Sequence, residues 1–220
     1  MTTSPSTVSV PDGARVILAS HNAKKLLELQ RILTAVVPDL PAEAVISSAG
    51  LELPDVVEDA VTFEDNALLK ARAAAQATGL LAVADDSGLA VDVLGGAPGI
   101  FSARWSGRHG DDEGNIDLLL AQLADIPAEH RAARFVCAAA LVAPCGADGS
   151  AEEIVVRGEM PGMLLFERRG EGGFGYDPIF QPEGEQRSSA ELTPEEKDAI
   201  SHRGKAFRAL AEQAARFLLD

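Results

Sequence analysis

The chain has 220 residues, 46% hydrophobic and 24% charged, ordinary globular values that exclude wholesale disorder and collagen-like repeats. At this length a single domain buries about 70% of the surface its unfolded chain exposes, so it needs no staples. Nineteen Lys and Arg against 34 Asp and Glu leave a net charge of −15, which excludes a nucleic-acid polymer or an anionic membrane surface as partner.

The first twelve residues, MTTSPSTVSVPD, carry no Lys or Arg and no apolar stretch, so they are not a signal peptide. Residues 1–14 are expected to form a disordered tail and residues 15–220 a single domain. Arg15–Ala19 is short, apolar and β-branched and reads as a strand that runs into the loop Ser20-His21-Asn22. Ser20 or Asn22 can cap the next segment, where Leu26, Leu29, Leu33 and Val36 recur at helical spacing until Pro38. Ala44–Ser48 is a weak second strand. Thr62-Phe63-Glu64-Asp65 opens an Ala-rich helix through Ala77 that Gly79 closes. Leu80–Ala84 is a buried strand expected to end abruptly at Asp85-Asp86-Ser87-Gly88, and the GGAPG run at Gly95–Gly99 is loop.

Asp111 or Asp112 can begin a helix through Leu123. Ala133–Ala143 and Ile154–Gly158 read as neighbouring strands joined by the turn-rich PCGADGS, and Gly170–Pro178 as a glycine-rich loop. Ser201 caps a last amphipathic helix with Phe207, Leu210, Ala214 and Phe217 inward. Strands alternating with helices predict an α/β fold, and the hairpin-like middle predicts a mixed central sheet flanked by helices. The two cysteines, Cys137 and Cys145, make no disulfide framework, and no Cys/His spacing suggests zinc; this usage fits a reducing cytosol. No apolar run approaches the ~20 residues of a membrane span.

Five loops at element ends hold residues that can do chemistry. Asp85 and Asp86 follow an apolar strand, where open α/β sheets bind ligands, and either acid can serve as a metal ligand or general base or simply form a turn. Successive strand residues point to opposite faces, so at most one of the pair enters a common cleft. Glu58, Asp59, Glu64 and Asp65 form a second acidic group. For Asp65 the competing reading is a capping box with Thr62. Asn66 and Lys70, four apart, share one helix face and suit a metal-bound phosphate or a solvated surface.

Ser20-His21-Asn22-Ala23-Lys24-Lys25 joins a strand to a helix start, where amide N–H groups and a lysine favour an anion, although it is not a Walker A loop. Gly170–Gly175 matches GxGxxG in spacing alone, because Tyr176-Asp177-Pro178 follows instead of a helix; a dinucleotide fold is excluded. Phe174, Tyr176 and Asp177 could instead receive a flat ring on an aromatic while a carboxylate accepts its N–H donors. His202 and Arg203 stand at the start of the last helix, among amides that attract anions.

Taken together, ILASHNAKKLLEL (Ile17–Leu29), TFEDNALLKARAAA (Thr62–Ala75), ADDSGLAVDVLGGAPGIFSARWSG (Ala84–Gly107), GGFGYDPIF (Gly172–Phe180) and AELTPEEKDAISHRGKAF (Ala190–Phe207) resemble the inosine triphosphate pyrophosphatase family, also called XTP/dITP diphosphatases. The resemblance covers nearly the whole chain from Arg15 onward. It implies two lobes with a substrate cleft between them, a cytoplasmic homodimer, and a small-molecule substrate. The implied reaction is Mg²⁺-dependent hydrolysis of non-standard purine nucleoside triphosphates (ITP, dITP, XTP) to the monophosphate and pyrophosphate, which removes them from the nucleotide pool. Carried onto this chain, it makes Asp86 the catalytic proton acceptor and a metal ligand, with Glu58 the second metal-site acid. Ser20, His21, Asn22, Ala23, Lys24 and Lys25 become the triphosphate loop and Ser87 a substrate contact. Phe174, Gly175, Tyr176, Asp177, Lys197, His202 and Arg203 become the nucleotide contacts. Asp65 departs from the family's usual Glu in its FEENA-like motif, and Glu64 is a candidate to compensate. Two other readings compete: a catalytically silent nucleotide sensor, and a related pyrophosphatase that prefers modified pyrimidine nucleotides.

Overall fold

The computed structural model describes residues 8–144 and 150–219. It contains a six-stranded sheet of order β2-β1-β3-β4-β5-β6, comprising β1 (Val16–Leu18), β2 (Val45–Ser47), β3 (Leu81–Val91), β4 (Ala132–Val142), β5 (Glu153–Leu164) and β6 (Phe180–Pro182). The helices are α1 (Ala23–Val36), α2 (Phe63–Thr78), α3 (Asp112–Gln122), α4 (Pro194–Ile200) and α5 (His202–Leu218). β1 pairs in parallel with both β2 and β3, whereas β5 and β6 are antiparallel, so the sheet is mixed as expected. None of the described helices is long and apolar enough to cross a membrane.

Contacts divide the chain into two compact units: residues 8–86, 138–157 and 206–219 form the first, and 87–137 with 158–205 the second. The first is built on β1, whose Val16, Ile17 and Leu18 are all fully buried, as a parallel strand covered on both faces must be. Leu29, Ile32 and Leu33 of α1 and the small Ala67, Ala71 and Ala74 of α2 turn inward; the alanines let α2 lie close to the strands. Asn22 caps α1 through its side-chain oxygen, and Thr62 caps α2 by accepting the Asp65 N–H. Gly79 ends α2 at φ 69°, the left-handed conformation that a glycine adopts without strain. The tail expected over residues 1–14 lies for residues 1–7 outside the described residues, and Val8 N–H donates to the Ala77 carbonyl at 3.0 Å. Cys137 is buried, and Cys145 lies outside the described residues.

In the second unit a core of Leu89, Val91, Ile116, Leu119, Phe135, Met160, Tyr176 and Phe180 packs around a fully buried Arg131. The Arg131 guanidinium donates to the carbonyls of Leu123 (2.7 Å), Leu164 (3.0 Å) and Leu165 (2.7 Å), and burial pulls its pKa below the usual arginine value. It ties the C-terminal end of α3 to the end of β5 through backbone oxygens, the Leu123 carbonyl also accepting the Ile126 N–H.

Four expectations are corrected. β3 does not stop at Asp85 but continues to Val91, because each acid meets a cationic or amide partner and its burial is offset (below). β5 runs six residues past Gly158, with β6 alongside it. α4 was not foreseen from sequence, although its Thr193–Glu196 capping box is legible there. Phe217 is only half-buried, and Leu218 takes the inward place.

Arg131→Met removes one hydrogen bond from each of three carbonyls, and a loss of about 3 kcal/mol of stability is expected at roughly 1 kcal/mol per bond. Urea unfolding measures it, and a midpoint within error of the unsubstituted chain would show that the guanidinium does not hold this unit together.

Candidate active site

The chemistry of the first unit gathers on β3. Asp85 and Asp86 are consecutive strand residues, and their carboxylates reach different helices, as the alternation of a pleated strand requires. Asp85, its side chain fully buried, receives Lys25 Nζ from the first turn of α1 on both oxygens at 2.8 Å. Lys25 is placed by the Asn22 cap, whose Oδ1 accepts the N–H groups of Lys24 and Lys25, while Ser20 Oγ accepts the Asn22 N–H. Of the two adjacent lysines only Lys25 turns inward; Lys24, like His21 and Ala23, is exposed.

Asp86 faces α2. Asn66, buried to 2% exposure, donates from Nδ2 to Asp86 Oδ2 at 3.1 Å and accepts the Ala60 N–H on its own Oδ1. Lys70, one turn on, places its Nζ 3.1 Å from Glu58 Oε2 and 3.8 Å from Asp86 Oδ1. The face shared by Asn66 and Lys70 therefore looks onto the acids, as their spacing predicts. Burial holds the Asp86 pKa above the usual carboxylate range; Lys70 and Asn66 oppose the shift, and Glu58 and Asp85 add to it. A buried acid whose surroundings raise its pKa is a stronger base than an exposed carboxylate.

Glu58 and Asp86 converge on one cation, the Lys70 ammonium. Two hard carboxylates on a single positive centre form the donor set Mg²⁺ takes from proteins, because Mg²⁺ keeps several waters and uses one or two carboxylates beside substrate phosphates. No cluster of three or more His, Cys, Asp or Glu that could cage a metal occurs among the described residues. Asp65 is committed elsewhere: its carboxylate accepts the Thr62 hydroxyl at 2.7 Å, so the capping reading holds. Glu64 pairs with Arg157 at 3.0 Å.

The second unit carries the other group. Phe174 is 52% exposed, and its ring centroid has Lys197 Nζ at 5.0 Å and Arg203 Cζ at 5.9 Å. Asp177, nearly buried, accepts the Phe174 N–H at 2.9 Å and the Lys197 ammonium. His202 is buried and stacks on Phe135 with ring centroids 5.0 Å apart. Gly173 has φ 78°, and a Cβ there would lie 2.2 Å from Asp177 Oδ2, so the loop passes this carboxylate only as glycine. Gly175 donates its N–H to Asp112 at the start of α3. Tyr176 is turned into the core with its hydroxyl donated to the Ser102 carbonyl, which leaves its phenol no part in a surface contact. Ser87 is partly exposed on β3. An exposed ring flanked by two cations, beside a carboxylate with a built counter-charge, is suited to stack and hydrogen-bond a flat heteroaromatic. Sequence reasoning missed Arg131 and the Asp112 contact, since a lone arginine before a strand and an acid in a first helical turn carry no distinguishing signal.

A family model described as the Ham1 family matches residues 16–213. The chain belongs to the Ham1 family. It is similar, at 64% identity over 89% of this chain and 94% of the relative, to a dITP/XTP pyrophosphatase of Streptomyces coelicolor. A dITP/XTP pyrophosphatase of Mycobacterium tuberculosis is 55% identical over 89% of this chain and 93% of its own. Among solved structures, a Ham1 protein of Coxiella burnetii superposes with a TM-score of 0.79 at 38% identity, covering 92% of this chain and 99% of that one. A nucleoside-triphosphatase/dITP/XTP pyrophosphatase from Mycobacterium abscessus gives 0.71 at 53% identity, covering 89% and 98%.

Within this Ham1-family chain, Lys25→Met leaves Asp85 charged and buried without its partner, and a loss of about 3 kcal/mol is expected, the usual size for breaking one side of a buried pair. Adding Asp85→Asn should restore most of that loss. A double variant no more stable than Lys25→Met in urea would show that the two side chains are not energetically coupled.

Proposed function

We propose that this chain hydrolyses dITP, ITP and XTP to the monophosphate and pyrophosphate with Mg²⁺, clearing these purines from the nucleotide pool. The observation that carries the reading is the convergence of Glu58, Lys70 and Asn66 on Asp86, an acid whose pKa is raised by burial. Relatives 64% and 55% identical over nearly nine-tenths of the chain, both named dITP/XTP pyrophosphatases, support it.

Glu58 and Asp86 would hold the Mg²⁺, which when bound neutralises triphosphate charge and polarises the phosphorus under attack. Asp86 accepts the proton of a water whose oxygen bonds to the α-phosphorus as the bond to the bridging oxygen breaks, and pyrophosphate leaves with that oxygen's electron pair. Lys70 and Lys25, with the Ser20–Lys25 loop, counter the phosphate charge. Phe174 stacks on the base, and Asp177, Lys197, His202 and Arg203 read its edge. An oxo group at C6 accepts hydrogen bonds where the amino group of adenine donates them, so cationic donors favour hypoxanthine and xanthine. A cytoplasmic homodimer is the assembly that accompanies this reading. A silent sensor would have no use for Asp86 held as a base, and the hydrolase reading is favoured for that reason.

The test is pyrophosphate release from a panel of nucleoside triphosphates with Mg²⁺; equal kcat/KM for ITP, ATP and GTP would sink the reading. Asp86→Asn keeps shape and loses basicity, and at least a ~10²-fold loss of kcat is expected, the low end for a general base. Because the folded chain raises this pKa, the ionised carboxylate costs stability above its titration and the cost vanishes as pH falls through it. Metal-free Asp86→Asn should therefore melt at or above the unsubstituted chain at pH 7, with the difference closing in acid. Turnover of ITP near the normal rate by Asp86→Asn, or greater damage from Asp85→Asn, would overturn the assignment of the base.

A further inference from the structure

The loop that carries Phe174 is restrained at several points, all within the second unit. At its start, the fully buried Ser188 donates its hydroxyl to the Arg169 carbonyl at 2.7 Å, and Gly172 N–H donates to Ala190 O at 3.1 Å. At its end, Tyr176 Oη donates to Ser102 O at 2.9 Å from within the core. Between these anchors two consecutive amides point at carboxylates: Phe174 N–H at Asp177, and Gly175 N–H at Asp112 Oδ2, 2.8 Å away.

Asp177 already serves the proposed recognition of the base. Asp112 belongs to another element and meets the loop through the Gly175 N–H, with its charge also helping to raise the Tyr176 pKa behind burial. It is not needed to cap α3, since Asp111 does so by accepting the Gly114 N–H at 3.0 Å. Gly175 has φ 56°, so the chain turns back on itself immediately after the exposed ring. A charge-assisted hydrogen bond at that amide fixes the plane of the 174–175 peptide, and with it the direction in which Phe174 leaves the backbone.

We propose that Asp112 is a positioning residue for base recognition: through Gly175 N–H it holds the Phe174 ring at the height and tilt at which a purine stacks beside Lys197 and Arg203. This rests on the proposed nucleotide reading. Removal of the acceptor lets the peptide rotate, and affinity for the base falls while the phosphate chemistry on β3 is untouched.

Three full-length variants separate this from a purely structural part. Asp112→Ala should raise KM for ITP about fivefold, the worth of roughly one hydrogen bond, with kcat within a factor of two, and should narrow the ITP-to-ATP ratio of kcat/KM. Asp112→Asn keeps an oxygen acceptor and should restore both values. Asp111→Ala should lower the melting temperature by removing the α3 cap while leaving KM and the ratio unchanged. Amide hydrogen exchange on the ligand-free chain should rise at residues 173–176 in Asp112→Ala alone, a readout that does not depend on the substrate. Normal KM and normal exchange in Asp112→Ala, or an Asp112→Asn as impaired as Asp112→Ala, would overturn the proposal. If the unsubstituted chain itself showed no preference for ITP over ATP, the nucleotide reading would fall with it, whereas the exchange result would still decide whether Asp112 holds the loop.

Discussion

A carboxylate with no exposed surface cannot remain in the middle of a strand unless something of opposite charge reaches it, and Lys25 reaches Asp85 on both oxygens. That ion pair is the constraint on which the first unit turns. It requires α1 to start where Asn22 caps it, so that Lys25, the third residue of the helix, points down onto β3. It also lets β3 continue as a regular strand past two adjacent acids. Because a strand alternates, neutralising Asp85 on one face presents Asp86 on the other, where Asn66 and Lys70 meet it. One buried acid thus makes the other one available.

The two groups of residues solve the same physical problem in different ways. Around β3 three carboxylates, Asp85, Asp86 and Glu58, meet two cations, Lys25 and Lys70, and the surplus is what a metal-bearing anion can use. Around Phe174 two cations, Lys197 and Arg203, stand by the exposed ring, while Asp177 and Asp112 accept the loop's amides. A chain of net charge −15 thus keeps a locally positive surface where an electron-rich ring would meet it.

Much of this is legible in the sequence, for identifiable reasons. The β-branched run at Val16–Leu18, the Ala-rich face of α2 and the caps at Asn22 and Thr62 each follow a local rule, and the structure obeys it. The meeting of Asn66 and Lys70 with the acids is set by the tertiary fold, while their sharing of one face follows from helical spacing. The continuation of β3 does not: consecutive aspartates favour a turn, and only the tertiary partners Lys25 and Asn66 override that preference. Arg131 is illegible for a related reason, since its partners are backbone carbonyls from Leu123 and Leu164, which leave no mark in the residue types. The resemblance of five motifs to one family supplied the roles that spacing left open, and Tyr176, whose side chain turns into the core, marks where a motif position need not mean a side-chain contact.

The closeness of Gly173 to Asp177 has a consequence for how such a chain can change over time. A methyl group at position 173 would occupy the space of the Asp177 carboxylate, so it would displace that group without altering residue 177. The identity of the acid and the absence of a side chain four residues earlier are one inherited character, gained or lost together. Drift toward a different base preference therefore has an open route through the exposed ring at 174 and a closed one through its neighbour.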